Sequence, residues 1–268
     1  MKKINKILIF TDLDGSLLHR DTFKFDEIKD YLKKLISKGI FIIPNTSKTE
    51  KEILEFNTEL GSSLPYISEN GAAINGLDLL NSNLPKELIL SREKDSLIKI
   101  FQKSVPMNLQ NKCKWLSEMD KKRQSLIFGL EGEKLKSALD RKYTIPFLFE
   151  GNKSEKKELS KFIKNKGLSL QEGGRVINLT DKVNKSKALQ VFVRFFKKNN
   201  KNVKTIAVGD NYNDLEMLNT SDFPCLVFND KFILDEIPIK NLITTNKPSP
   251  EGWADVVKKA LVKVNKNY

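Results

Sequence analysis

The chain has 268 residues, 39% hydrophobic and 30% charged, a composition of neither the disordered nor the membrane class. Its 47 basic and 34 acidic residues leave a formal charge of +13, but 41 of the basic residues are lysine and only six arginine, whereas planar phosphate and base recognition favours arginine. With His19 as the single histidine, a His-ligated metal centre and a Ser-His-Asp or Cys-His relay lack their usual parts, and catalysis falls to carboxylates, hydroxyls, lysines or a hard metal.

The amino terminus meets acid directly after the apolar run Ile7 to Phe10, too short for a signal peptide. No stretch approaches the ~20 apolar residues of a membrane span. Cys113 and Cys225 lie far apart with no C-x-x-C spacing, which reads as two reduced thiols rather than a disulfide or zinc framework. The expectation is a cytoplasmic protein with neither a membrane nor a nucleic-acid partner.

KILIFTD is a short buried strand, and FKFDEIKDYLKKLISKG sets Phe25, Ile28, Leu32, Leu35 and Ile36 on one helical face before Gly39. GIFIIPN is a second strand, TEKEILEFNTELG a second amphipathic helix, and PYISENGAAI a third strand. This alternation predicts a parallel sheet with right-handed crossovers. From about residue 84 the rhythm changes to lysine-rich helices, SREKDSLIKIFQKSV and EKKELSKFIKNKG, with short strands QSLIFGL, IPFLFEG and LSLQEGGRVINLTD, the last turning at Gly173 and Gly174. After Asp181 the parallel grammar returns with the helix SKALQVFVRFFKK, the strand NVKTIAVGD, the helix NDLEMLNTSD, the strand CLVFND and the helix EGWADVVKKALVKVN. The predicted fold is therefore α/β, with a Rossmann-like parallel-sheet core from residues 1–83 and 181–268 and an inserted α/β cap at residues 84–180. The insertion holds 21 basic and 12 acidic residues, so most of the charge surplus belongs to it.

Asp12 and Asp14 stand at the exit of the first strand in FTDLDGS, two residues apart and so on one side of an extended segment. That edge is where open α/β sheets bind ligands. Adjacent carboxylates need a cation or a shared proton, and an oxygen-rich cluster without histidine suits Mg²⁺. An acidic turn capping backbone amides is the alternative for this motif alone. Thr46 and Ser47 end the second strand, Lys185 heads the helix after the insertion, and Asp210 and Asp214 follow the strand ending in VGD. All fall at the same predicted edge, where hydroxyls, amides and an ammonium can hold an anion.

DLDGS, NTSK, the lysine of NKSKAL and GDNYND resemble the four motifs of haloacid-dehalogenase-type phosphatases. TSKT, ENGAAI, RKYTIPFLFEG, GGRVINL and PEGW are similar to strings of the mannosyl-3-phosphoglycerate phosphatase family. The resemblance implies a haloacid dehalogenase-like fold, a Mg²⁺ cofactor and a small phosphorylated sugar-acid substrate. It implies Asp12 as nucleophile, Asp14 as general acid and base, and a metal held by Asp12, the Asp14 carbonyl and Asp210 with support from Asp214. Thr46, Ser47 and Lys185 would hold phosphate. Ser47, Lys48, Asn70, Arg141, Thr144, Gly174 and Arg175 would meet the glycosyl and glycerate ends. Ser16, Ile145 and Asn178 depart from the family pattern, the last two inside the insertion. A general sugar-phosphate phosphatase, a phosphomutase and a non-catalytic basic binding module are the competing readings.

Overall fold

The computed structural model describes residues 6–173, 175–198, 200, 202–230 and 238–266. Its strands in chain order are β1 (Lys6–Thr11), β2 (Phe41–Pro44), β3 (Tyr66–Ser68), β4 (Ala73–Asn75), β5 (Glu87–Ile89), β6 (Cys113–Trp115), β7 (Ile145–Phe149), β8 (Leu168–Glu172), β9 (Ile177–Asp181), β10 (Val203–Gly209), β11 (Phe223–Leu226) and β12 (Ile243–Thr244). Five of them form an all-parallel sheet in the order β12-β11-β10-β1-β2. β1 is an unbroken apolar run because both of its faces are covered. Leu8 and Phe10 pack with Leu189 and Phe192 of the helix Lys185–Lys197. Ile9 points the other way, toward Leu32 and Leu35 of the helix Asp26–Ser37 and Trp253 and Val257 of the helix Glu251–Lys266. Each such fully buried large side chain contributes roughly 1.5–3 kcal/mol. Parallel pairing puts the exits of β1, β2, β10 and β11 at one edge.

The segment PYISENGAAI does not add a strand to that sheet. After one parallel bridge, Asn45 to Ile67, β3 reverses through Glu69 and Asn70, whose φ values are 45° and 59°. It then pairs antiparallel with β4, and β4 with β5. The left-handed turn, not the apolar pattern, decides this outcome. Pairing with core strands therefore continues past residue 84.

The remaining strands form a four-stranded antiparallel sheet in the order β6-β7-β9-β8. It has its own apolar interior, in which Phe147 and Leu179 meet Leu97 and Phe101 of the helix Lys94–Ser104 and Leu159 and Ile163 of the helix Lys153–Asn165. QSLIFGL, expected as a strand, lies in the helix Lys121–Phe128. Asp120 caps it by accepting the Arg123 N–H, and Gly129 at φ 66° ends it, so local capping overrides a short apolar run. Phe128 packs on Leu116, Leu135 and Val176, whereas Leu126 is 84% exposed. The outgoing and returning chains meet at Arg92, whose Nε and Nη2 each lie 2.8 Å from the Asp181 carboxylate. Burial alone would raise Asp181, but the Arg92 hydrogen bonds bring it down to about 2. Among the described residues no helix is long and apolar enough to cross a membrane, and both cysteines are buried and unpaired.

Candidate active site

Asp12 continues the line of β1, its N–H donating to Val208 O at 2.9 Å, and the chain then curls so that Leu18 N–H returns to Leu13 O at 2.8 Å. Gly15 at φ 82° permits this curl, and a Cβ there would lie 2.8 Å from Asp210 Oδ2. Asp12 is buried, and Lys185 Nζ stands 2.7 Å from both Asp12 Oδ1 and Asp214 Oδ1. Lys185 opens its helix, with Asn184 accepting the Lys187 N–H as the cap. Burial would lower the pKa of this ammonium, but the Asp12 and Asp214 charges outweigh it and hold it above the usual lysine value. The lysine is thus a fixed positive charge between two carboxylates.

β10 ends at Gly209, where a Cβ would lie 2.4 Å from Asp214 Cβ. Asp214 Oδ2 accepts the N–H groups of Asp210 and Asn211, at 3.1 and 3.3 Å. Asp210 accepts Ser16 Oγ–H at 3.0 Å, Asn229 Nδ2–H at 3.2 Å and Arg20 Nη2–H at 2.6 Å. Carboxylate oxygens of Asp12, Asp210 and Asp214 all lie within 4.8 Å of one another. Burial, then the charges of Asp214 and Asp12, push Asp210 up to about 7, and burial raises Asp214. Three buried carboxylates face one buried ammonium, so the cluster keeps a surplus of negative charge and only oxygen donors. These residues fit Mg²⁺, and Asp12, Asp210 and Asp214 form its site.

Arg20 Nη2 donates to Asp210 Oδ2 from a side chain 34% exposed at the rim. A cation on the same carboxylate would be repelled by that guanidinium. Arg20→Gln is expected to bind Mg²⁺ or Mn²⁺ roughly fivefold more tightly, the scale of a partly exposed ion pair, in calorimetric titration of the substrate-free protein. Unchanged affinity would show that the arginine does not oppose the cation.

The loop after β2 supplies the next wall. Thr46 is buried, and its hydroxyl accepts the Lys48 N–H at 3.3 Å. Thr49 and Glu52 form a capping box that starts the helix Glu50–Leu60 beside the site. Lys48 Nζ lies 3.1 Å from Asp14 Oδ1, 3.0 Å from Glu52 Oε1 and 4.9 Å from the centre of the Phe23 ring. The Asp14 contact is an ion pair outside hydrogen-bond geometry. Burial of that carboxyl raises Asp14, against the opposing Lys48 charge. A carboxyl inclined to keep its proton suits a general acid.

A cavity of about 280 Å³ is bounded on the core side by Asp12, Asp14, Ser47, Lys48 and Asp210 and on the insertion side by Arg141 and Arg175. Thr46, Lys185 and Asp214 sit behind this surface. Arg141 is buried and committed, donating from Nε to Ala138 O (3.1 Å) and from Nη1 to Ser47 O (3.1 Å) and Thr144 Oγ1 (2.9 Å). Thr144 Oγ1 in turn donates to Glu69 Oε2 at 2.6 Å, and Glu69 also accepts the N–H groups of Lys142 and Tyr143. Arg141 and Thr144 therefore tie the insertion to the core. Asn70 lies in the β3–β4 turn, donating its N–H to Thr46 O at 2.8 Å, away from the cavity. The exposed Arg175 reaches across to Phe23, with its guanidinium carbon 5.4 Å from the ring centre, and Gly174 lies outside the described residues.

Arg20, Glu69 and Asn229 were not foreseen in the sequence. The signals that could have found them are the scarcity of arginine with a position eight residues after Asp12 for Arg20, and a place just past a strand exit for Asn229. Glu69 opens the ENGAAI string, but its hydrogen-bonding role was not legible there, since its reach depends on its left-handed backbone.

A fixed ammonium, a hard-metal site and a buried aspartate beside a raised carboxyl together serve phosphoryl transfer. The family described as haloacid dehalogenase-like hydrolase matches residues 9–244. Glucosyl-3-phosphoglycerate/mannosyl-3-phosphoglycerate phosphatases are 29% identical to the chain, one from Persephonella marina over 272 residues and one from Methanococcoides burtonii over 282. In each case the match covers 97% of this chain and 99% of the relative. In fold, a phosphatase of the haloalkanoate superfamily from Bacteroides thetaiotaomicron superposes with a TM-score of 0.69 at 17% identity, covering 96% of this chain and 95% of that one. Because the matched stretch runs from the strand that delivers Asp12 to beyond the one that delivers Asp210, the chain belongs to the haloacid dehalogenase-like hydrolases, and its chemistry is that of a phosphatase with a Mg²⁺ site.

Proposed function

We propose that the protein hydrolyses glucosyl-3-phosphoglycerate, mannosyl-3-phosphoglycerate or both to the glycosylglycerate and phosphate. Residues 1–83 and 181–268 act as the catalytic core and residues 84–180 as a cap that reads the sugar acid. Asp12 attacks phosphorus and the ester oxygen leaves, taking a proton from Asp14. Asp14, now a carboxylate, removes a proton from water as that water attacks the aspartyl-phosphate, releasing phosphate and restoring Asp12. Lys185, 2.7 Å from Asp12 Oδ1, holds that carboxylate in place and adds fixed positive charge where the phosphoryl oxygens gather. Asp12, Asp210 and Asp214 would hold Mg²⁺, which would supply positive charge to the transferring group.

The observation that carries the reading is the Lys185 ammonium shared at 2.7 Å by Asp12 and Asp214, in a chain whose full-length relatives bear that activity in their names. The exposed Arg175 on the cavity wall suits the glycerate carboxylate, which an arginine fork binds well. The test is kcat/KM over glucosyl- and mannosyl-3-phosphoglycerate, sucrose 6-phosphate and glucose 6-phosphate with Mg²⁺. Glycosyl-phosphoglycerates are expected to lead by at least about 10²-fold. Equal rates across the panel would make the enzyme a general sugar phosphatase, and isomerised product without free phosphate would make it a mutase.

A further inference from the structure

The residue just ahead of Asp12 is Thr11, the last of β1, and it is fully buried. Its hydroxyl stands between partners from distant parts of the chain. Trp253 Nε1 lies 2.9 Å from Thr11 Oγ1, and Thr11 Oγ1 lies 2.6 Å from the carbonyl oxygen of Asp12. Both directions follow from chemistry, because an indole N–H only donates and a carbonyl only accepts. The relay therefore runs from the indole through the hydroxyl to the Asp12 carbonyl. In such a buried chain each bond polarises the next, so the hydroxyl is a better donor with the indole in place.

Trp253 is placed to act as the anchor. It is fully buried in the helix Glu251–Lys266, in one cluster with Ile9, Leu32 and Val257, and its ring stands 6.4 Å from that of Tyr31 at 72°. A phenylalanine would fill most of the same space, so what the indole adds is the N–H. Asp12 is then held from both sides of its backbone, its N–H by Val208 O of β10 at 2.9 Å and its carbonyl by the relay. Beyond it the chain leaves β1 for the curl closed by Leu18 N–H to Leu13 O, and the relay fixes the peptide at that point of departure. Attack on phosphorus needs the carboxylate in line, and a misplacement of about 1 Å can cost about 10²-fold in rate. We propose that Trp253 and Thr11 are positioning residues for the nucleophile, acting through the Asp12 carbonyl to hold its carboxylate in the line of attack. This rests on Asp12 as the attacking group, as proposed above. Neither residue is on the cavity wall, so the effect falls on the rate of attack and not on substrate affinity.

The experiment compares wild type with Thr11→Val, which keeps the shape and removes the hydroxyl, Thr11→Ser, which keeps the hydroxyl, Trp253→Phe, and the double variant Thr11→Val/Trp253→Phe. The substrate is the ³²P-labelled ester that wild type turns over best, with Mg²⁺. The readouts are the rate of phosphoenzyme formation at saturating ester, by rapid acid quench, and the ester concentration that gives half that rate. Urea unfolding of each variant sets the folded fraction to which rates are referred. Thr11→Val is expected to slow phosphoenzyme formation about tenfold, the scale of one hydrogen bond lost from a buried network, with the half-saturating concentration changed less than about twofold. Trp253→Phe is expected to slow it about fivefold, and the double variant to be no slower than Thr11→Val, since both changes act through one hydroxyl. Thr11→Ser should stay within about threefold of wild type because the donor is kept. A Thr11→Val rate equal to wild type overturns the proposal, and so does Thr11→Ser as slow as Thr11→Val, which would assign the effect to packing of the methyl. Losses that multiply in the double variant would mean that indole and hydroxyl act separately, and a higher half-saturating concentration at unchanged rate would mean a binding role; either result overturns it as well. Should Trp253→Phe not fold, the threonine pair decides alone. Phosphoenzyme formed by Asp12→Asn at the wild-type rate would remove the reading of Asp12 as nucleophile, and this inference with it.

Discussion

Asp12→Asn is expected to lose turnover by about 10⁴-fold or more, the scale seen when a covalent nucleophile is removed. The substitution keeps the shape and the Asp12 N–H to Val208 O bond, and it takes one charge out of a cluster in which carboxylates already raise one another. Stability in chelator is therefore expected to stay within about 1 kcal/mol of wild type. Loss of activity without loss of fold is the combination that identifies a nucleophile. Acid quenching during turnover of a ³²P-labelled substrate should trap a phosphoenzyme in wild type and none in the variant. Turnover above a hundredth of wild type, or a phosphoenzyme that persists in the variant, would move the nucleophile elsewhere.

Lys185→Met should act on stability and on catalysis together. The ammonium is 2% exposed and bridges Asp12 and Asp214, the latter fully buried. Removing it leaves buried carboxylates without their partner, at a cost of about 3–5 kcal/mol, measured by urea unfolding in chelator near neutral pH. Added Mg²⁺ should recover part of the loss by supplying positive charge to the same cluster. Lys185 itself is held above the usual lysine value, so its contribution is complete below that value and disappears only as pH rises through the higher, folded-state one. The carboxylates run the other way. Asp210 at about 7 takes up a proton as pH falls through that value, which relieves repulsion, so the deficit of the variant should shrink in acid. A deficit that is flat from pH 5 to 8, or absent in chelator, would mean that the cluster is not held together by this charge. Catalysis is expected to fall by about 10²-fold or more even with the metal saturating.

The linear pattern already contained most of the catalytic edge. Apolar runs bounded by glycine and acid located β1, β2 and β10, and parallel pairing forces their exits to one side, so Asp12, Asp14, Lys185, Asp210 and Asp214 were legible as one cluster. The opening charge count also divided usefully, since the basic surplus sits in the insertion while the groups at the core sheet edge are mostly acidic. Local signals failed where a backbone conformation or a cap outweighed hydrophobic pattern. Glu69 and Asn70 at positive φ turned PYISENGAAI into a hairpin, and Asp120 with Gly129 turned QSLIFGL into a helix. The strand β12 has only two residues, Ile243 and Thr244, too few to show any period.

Composition and spacing narrowed the chemistry to carboxylates, hydroxyls, lysines or a hard metal, and the four motifs, by their resemblance to a known family, implied phosphoryl transfer. How the other polar residues are used depends on the folded chain. Arg141 and Thr144 are also links between the insertion and the core, through Ser47 O and Glu69, which spacing alone does not show. Arg20 and Asn229 converge with Asp210 from separate loops. The physical reason is the same in each case. Residue type and spacing fix what a side chain can do, whereas hydrogen-bond satisfaction depends on neighbours distant in sequence, and those neighbours exist only once the chain has folded.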